Sequence, residues 1–174
     1  MITSLILVAA VILTPTLPHR ENIIFRSMAP IEVKYINGLP EFMRKLGKLE
    51  SDNTISATNR YGMLGKYQFH ISTIRSVGMK VTRREFLSNS ALQDTALVRY
   101  LKSNKEDLLP YIQKYSGTRF RGIDITESGI LAGAHFAGST GVINFFKHGT
   151  NKDDANGTTL TKYMKQFNGF DLKI

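Results

Sequence analysis

The chain of 174 residues contains no cysteine, which excludes a disulfide framework, a thiol nucleophile and a thiolate metal site. Acidic residues are scarce: 14 Asp and Glu stand against 23 Lys and Arg, for a formal charge of +9. A surplus of that sign attracts polyanions, whether nucleic acid, anionic lipid or acidic wall polymer, without choosing among them. Internal repeats, low-complexity tracts, a phosphate-cradling glycine loop, a Ser-His-Asp order and a recognisable nucleic-acid motif are all missing. The histidines His19, His70, His135 and His148 have no metal-ligand spacing. "NKDDANG" lacks the acidic spacing of a calcium loop and reads as a turn. No metal or other cofactor is expected. With 42% hydrophobic and 21% charged residues, the composition is that of a globular protein, and the length suits one domain with a real core.

The longest apolar run lies at the N-terminus, "MITSLILVAAVILTPTLPHREN", continuous from Leu5 to Leu13 and broken at Pro15 and Pro18. It is shorter than the ~20 residues of a full span and has the length of a signal-peptide hydrophobic region. No Lys or Arg precedes it and no small-x-small cleavage site is evident, so an uncleaved anchor fits as well as a signal peptide. A buried N-terminal helix or strand is the alternative. Residues 1–18 are therefore expected to be a signal peptide or membrane anchor, and the protein to be exported, periplasmic or associated with the cell envelope. Residues 19–38, with Pro30, read as a linker that holds a short strand near Ile31 to Tyr35. Residues 39–174 form the folded domain.

Within that domain, "LPEFMRKLGKLE" places Phe42, Leu46 and Leu49 on one helical face, with Pro40 suited to the first turn. Asn53 to Gly65 reads as a loop, and "YQFHISTIRSVG" as a short helix closed by Gly78. "TRRE" (Thr82–Glu85) and "SALQ" (Ser90–Gln93) both have the form of capping boxes. A further helix, "NKEDLLPYIQKYSG", is expected to start at Asn104 and to be kinked or begun by Pro110. "GTRFRGIDI" reads as a loop or short strand. Thr126 caps the small-residue helix "ESGILAGAHFAG", broken at Gly138 to Gly141 and continued by "VINFFKHG". "TLTKYMKQF" closes the domain, and Phe145, Phe146, Tyr163 and Phe167 read as core aromatics. The pattern is mainly α, with one irregular segment after Glu50.

Glu50 is the residue that does not fit a plain solvated helix. It lies about 40° around the helix from Leu46, at the edge of the apolar stripe. It also sits at the helix C-terminus, where the macrodipole disfavours negative charge. Both conditions push a carboxyl toward its protonated form, as a general acid requires. Glu127 sits instead at a helix N-terminus, where the anion is favoured and capping is the expected role.

"ES" at Glu50-Ser51 followed by "NRYGMLGKYQF" (Asn59–Phe69) resembles the first two motifs of the goose-type lysozyme and lytic transglycosylase family. "LAGAHFAG" (Leu131–Gly138) resembles its third, with His135 where a Tyr is more usual. "GVINFFKHG" and "DANGTTLTKYMKQFNGF" resemble the C-terminal part of small, phage-like peptidoglycan-cleaving proteins of this kind. The resemblance covers about Leu39 to Phe170. It implies an α+β lysozyme-like fold, with a compact helical domain and an irregular or short-β segment beside the cleft. It implies that Glu50 is the acid/base, with Ser51 holding or orienting it. Tyr61, Gly65, Tyr67, Gln68, His135, Phe136 and Gly138 would join Ser51 in binding substrate.

A β-1,4 glycosidic bond needs a proton delivered to its leaving oxygen and support for an oxocarbenium-like centre. Among other carboxylates, Asp52 points away by its spacing, and Asp94 and Asp124 qualify only if the fold brings them near. One acid/base without a second carboxylate implies a lytic transglycosylase acting on the MurNAc-GlcNAc bond of peptidoglycan. A hydrolytic lysozyme (muramidase) is the alternative, and a non-catalytic peptidoglycan-binding protein on a degenerate lysozyme-like fold another. The expected partners are glycan strands, a membrane tether through the N-terminus and an envelope-spanning machine, with no nucleic acid; a membrane-anchored nucleic-acid binder would rest on charge alone.

Overall fold

A computed structural model of the chain describes residues 29–30, 38–154 and 157–174. The expected signal peptide or anchor, and the strand near Ile31 to Tyr35, lie outside them. Among the described residues no helix is long and apolar enough to cross a membrane.

The architecture is mainly α with a small antiparallel sheet. In chain order the elements are β1 (Ala29–Pro30), α1 (Leu39–Ser51), α2 (Ile71–Ser76), α3 (Arg83–Ser88), α4 (Ser90–Tyr115), β2 (Thr118–Phe120), β3 (Ile123–Ile125), α5 (Glu127–His148) and α6 (Leu160–Gln166). β2 and β3 form a hairpin in the register Thr118↔Ile125 to Phe120↔Ile123. Its two-residue turn, Arg121-Gly122, has positive φ at both positions, the backbone that matches strand twist in tight hairpins. β1 pairs with the other edge of β2, so part of the segment read as linker is joined to the sheet.

α5 is the central helix. Ile130, Leu131, Ala132, Ala134, Val142, Phe145 and Phe146 are all buried, which is why it reads apolar around its whole circumference. α4 and α6 pack against it. Gly129 and Gly133 let α6 approach, since a Cβ there would lie 2.9 Å from the Met164 carbonyl and 2.9 Å from Leu160 Cδ1 respectively. Thr126 caps α5 through the Gly129 amide (3.2 Å) and also accepts from Gly169. Ser128 accepts from Phe170 at 3.0 Å, which ties the C-terminal segment to the start of α5.

Four local expectations are corrected. The α3 capping box is present at Thr82 and Glu85, but "SALQ" is not one. Asn89 caps α4 through the Leu92 amide at 3.2 Å, and Gln93 is turned inward and fully buried. No helix starts at Asn104. α4 runs unbroken for 26 residues, because Leu97, Leu101, Leu108 and Ile112 form one continuous buried stripe. That burial outweighs the propensities of Asn104 and of Pro110 inside the helix. Asn104 instead donates to the Tyr100 carbonyl at 2.9 Å. Tyr67 to Phe69 are not helical; α2 begins only at Ile71, capped by His70. Finally, the closing helix is shorter than the stretch "TLTKYMKQF": α6 spans Leu160–Gln166, with Thr159 and Phe167 as its caps.

Candidate active site

Glu50 stands in the last turn of α1, two residues before the left-handed Asp52 that caps the helix. Phe42 and Leu46 anchor this helix, and Phe42 packs on Phe167 and Phe170. The carboxyl enters a polar cleft of about 560 Å³ formed by the end of α1, the loop after it, α5 and α6. That volume lies within the range of sites for small ligands.

Two side chains converge on the Glu50 carboxyl, which is 23% exposed. The Tyr163 hydroxyl, from α6, donates a hydrogen bond to Oε1. His135 Nε2, from α5, lies 3.8 Å from the same oxygen. Burial first, and the Glu50 charge second, hold the Tyr163 phenol far above its ordinary pKa, so it remains a neutral donor. His135 is 6% exposed. Burial holds its pKa below the ordinary value, against the Glu50 carboxylate and the Tyr67 carbonyl, which favour the protonated ring. At neutral pH the ring is therefore uncharged. It sits edge-on to Phe69 and Tyr100, and its Nδ1 makes no well-aligned hydrogen bond.

The segment after Glu50 is shaped by backbone pairing. Leu64 and Phe69 exchange backbone bonds of 2.9 and 3.0 Å, and Gly65 donates to the Ala57 carbonyl at 2.8 Å. The buried Gln93 amide clamps the whole segment. Its oxygen accepts from the Lys66 amide at 2.7 Å, and its nitrogen donates to the Ile55 and Phe86 carbonyls at 2.8 Å each. Gly65 has φ +71°, and a Cβ there would overlap the Gln93 amide. Only glycine meets both conditions. Gln68 carries φ +48°, an uncommon state for a non-glycine residue, and its side chain donates to the Gly65 carbonyl at 2.9 Å.

No match was found among protein-family models, curated proteins or solved structures.

Of the residues singled out from the sequence, Glu50, Gln68, His135 and Phe136 line the cleft together. Ser51 does not bond Glu50; its hydroxyl donates to the Lys66 carbonyl at 2.9 Å and fastens the helix end to the loop. Tyr67 is 2% exposed and donates to Asp94 at 2.6 Å, outside the cleft lining. Tyr61 is 61% exposed and pairs with Arg60, also outside it. Gly138 interrupts α5 with φ +74°, just beyond Phe136. Asp52 pairs with Lys48, Asp94 with Lys66 at 2.7 Å and Asp124 with Arg119 at 3.3 Å. Glu127 pairs with Lys105 at 2.9 Å in the first turn of α5.

Six further polar residues line the cleft without having been singled out as site residues from the sequence: Asn59, Asp154, Thr158, Lys162, Tyr163 and Gln166. Tyr163 was read as a core aromatic, and its ring is in the core, stacked on Phe136 and Phe167. The available signal was its hydroxyl on an otherwise apolar stripe, since a buried phenol needs a partner. Asp154 also lines the cleft and accepts from the Thr158 amide at 2.8 Å. Nothing in its local sequence points to that position.

Proposed function

We propose that the protein is a peptidoglycan-cleaving glycosidase with Glu50 as its acid/base, and that it acts as a lytic transglycosylase. The observation that carries this reading is the placement of Glu50. A partly buried carboxyl opens into a polar cleft, held by a phenol that does not ionise and faced by an uncharged imidazole. In the cleavage step, Glu50 delivers a proton to the glycosidic oxygen as the bond to the anomeric carbon breaks. The carboxylate then takes the proton of the muramic acid 6-hydroxyl as that oxygen attacks the same carbon, leaving a 1,6-anhydro end. The residues ascribed to substrate that line the cleft, Gln68, His135 and Phe136, supply hydrogen-bonding and stacking groups suited to sugars. The +9 charge favours an anionic wall polymer as the medium of action. An exported, envelope-associated location belongs to the same proposal.

Hydrolysis is the second reading, and Asp154 favours it, because an inverting mechanism uses a second carboxylate to activate water. The decisive experiment is digestion of purified sacculi by the wild type and by Glu50→Gln. The expected result is fragment release by the wild type and none by the folded variant. Wild-type lysis by Glu50→Gln overturns the assignment. Anhydro ends in the product identify transglycosylation, and reducing ends identify hydrolysis. Retention on sacculi without any fragment release would leave only a binding role.

A further inference from the structure

We propose that the surface built from α2, the connection 77–82 and α3 docks onto an anionic phospholipid bilayer. This inference is independent of the chemistry assigned to the cleft. A second cavity of about 530 Å³ opens here and shares no lining residue with the Glu50 cleft. Its walls are mainly apolar, with Met79 and Val81 among them, and Arg75 and Lys80 stand at its lining. The Arg99 guanidinium is pinned beside it, 3.4 Å from the Val77 carbonyl and 3.5 Å from that of Gly78. Arg83 and Arg84 flank it in the first turn of α3.

All five cations are exposed, and among the described residues none forms an ion pair with a carboxylate. The one acid at the cavity, Glu85, is engaged by the Thr82 amide and hydroxyl at 2.7 Å each. Cations in the first turn of a helix oppose its dipole, so Arg83 and Arg84 do not serve the stability of α3. Guanidinium groups match phosphate oxygens in pairs. With Arg75 and Lys80 at the cavity and Arg83, Arg84 and Arg99 close by, the surface complements the phosphate layer of an anionic bilayer. Nucleic acid fits less well. The only aromatic residue between positions 71 and 88 is Phe86, which is fully buried, so the patch offers no ring on which bases could stack.

The test is co-sedimentation of the full chain with phosphatidylcholine vesicles, with and without phosphatidylglycerol, at low ionic strength. Binding through the N-terminal apolar run is common to both vesicle types and cancels in their ratio. Each basic side chain near an anionic surface contributes a factor of roughly five in partition. Arg75→Gln/Lys80→Gln is therefore expected to reduce the anionic preference roughly 25-fold. The control Lys147→Gln/Lys165→Gln, which removes the same charge elsewhere, should change it by less than about threefold. Should the first variant fail to fold, Arg83→Gln/Arg84→Gln, which relieves an unfavourable charge–dipole contact, is expected to lower the preference in the same direction. Equal losses in the α2–α3 variant and the control overturn the proposal, as does a wild type that does not distinguish the two vesicles. Tighter binding to duplex DNA than to anionic vesicles, lost in the same variant, would assign the surface to nucleic acid instead.

Discussion

Replacing Tyr163 with Phe removes one oxygen and leaves the packing in place. The phenyl ring keeps its stack on Phe136, at 5.2 Å and 25°, and on Phe167, at 5.1 Å and 29°. What is lost is the hydrogen bond to Glu50 Oε1. Hydrogen bonds to charged groups contribute about 1.5–3 kcal/mol. With Glu50 23% exposed, water replaces part of the lost bond, and the lower half of that range applies. The cost to stability is then about 1.5–2 kcal/mol, or some 3–8 °C in Tm for a chain of this size. The cost to turnover is larger, because the phenol also fixes the direction of the carboxyl. A proton donor misplaced by about 1 Å can lose on the order of 100-fold, so the rate of fragment release from sacculi should fall ten- to a hundredfold. The assay is release of labelled fragments from sacculi, alongside a thermal melt and the variants Glu50→Gln and Glu50→Gln/Tyr163→Phe. If Tyr163 acts through Glu50, the double variant is no worse than Glu50→Gln alone. Wild-type turnover by Tyr163→Phe would refute the reasoning.

Gly65→Ala combines a left-handed backbone with an overlap on the Gln93 amide; it should lower stability by about 2–3 kcal/mol, and an unchanged melting temperature would count against the clamp. His135 has a folded-state pKa below its unfolded value, so the native state binds fewer protons and acid favours unfolding. Its contribution is intact above the unfolded pKa of about 6.5 and is lost as pH falls below it. Between pH 7 and 5 the wild type should therefore lose more stability than His135→Gln, and parallel pH profiles in denaturant melts would contradict this. Gly129→Ala places a methyl 2.9 Å from the Met164 backbone carbonyl, whereas Gly133→Ala meets only the movable side chains of Leu160 and Met164. The first should shift α6, and Tyr163 with it, and reduce activity more than the second; the reverse order would show that α6 does not position the site.

The apolar stripes of α1 and α6 and the small residues of α5 were legible because they carry a 3.6-residue period that burial enforces. Glu50 was legible by its conflict with that pattern, and Gln68 and His135 through motif order. The failures share a cause, since each depends on a partner distant in sequence. Gln93 looked like the polar end of a capping box, but three backbone groups from positions 55, 66 and 86 draw it inward. Tyr67 looked like a cleft aromatic, yet Asp94, 27 positions on, captures its hydroxyl. Asn104 looked like a helix start until the stripe on either side of it was buried as one.

The bond between Glu50 and Tyr163 spans 113 positions, and it bears on when the chain can act. During synthesis the carboxyl of α1 emerges early, and the phenol that bonds it follows only after α2 to α5 have left the ribosome. A nascent chain, or one cut short before α6, holds the carboxyl without the group that aims it.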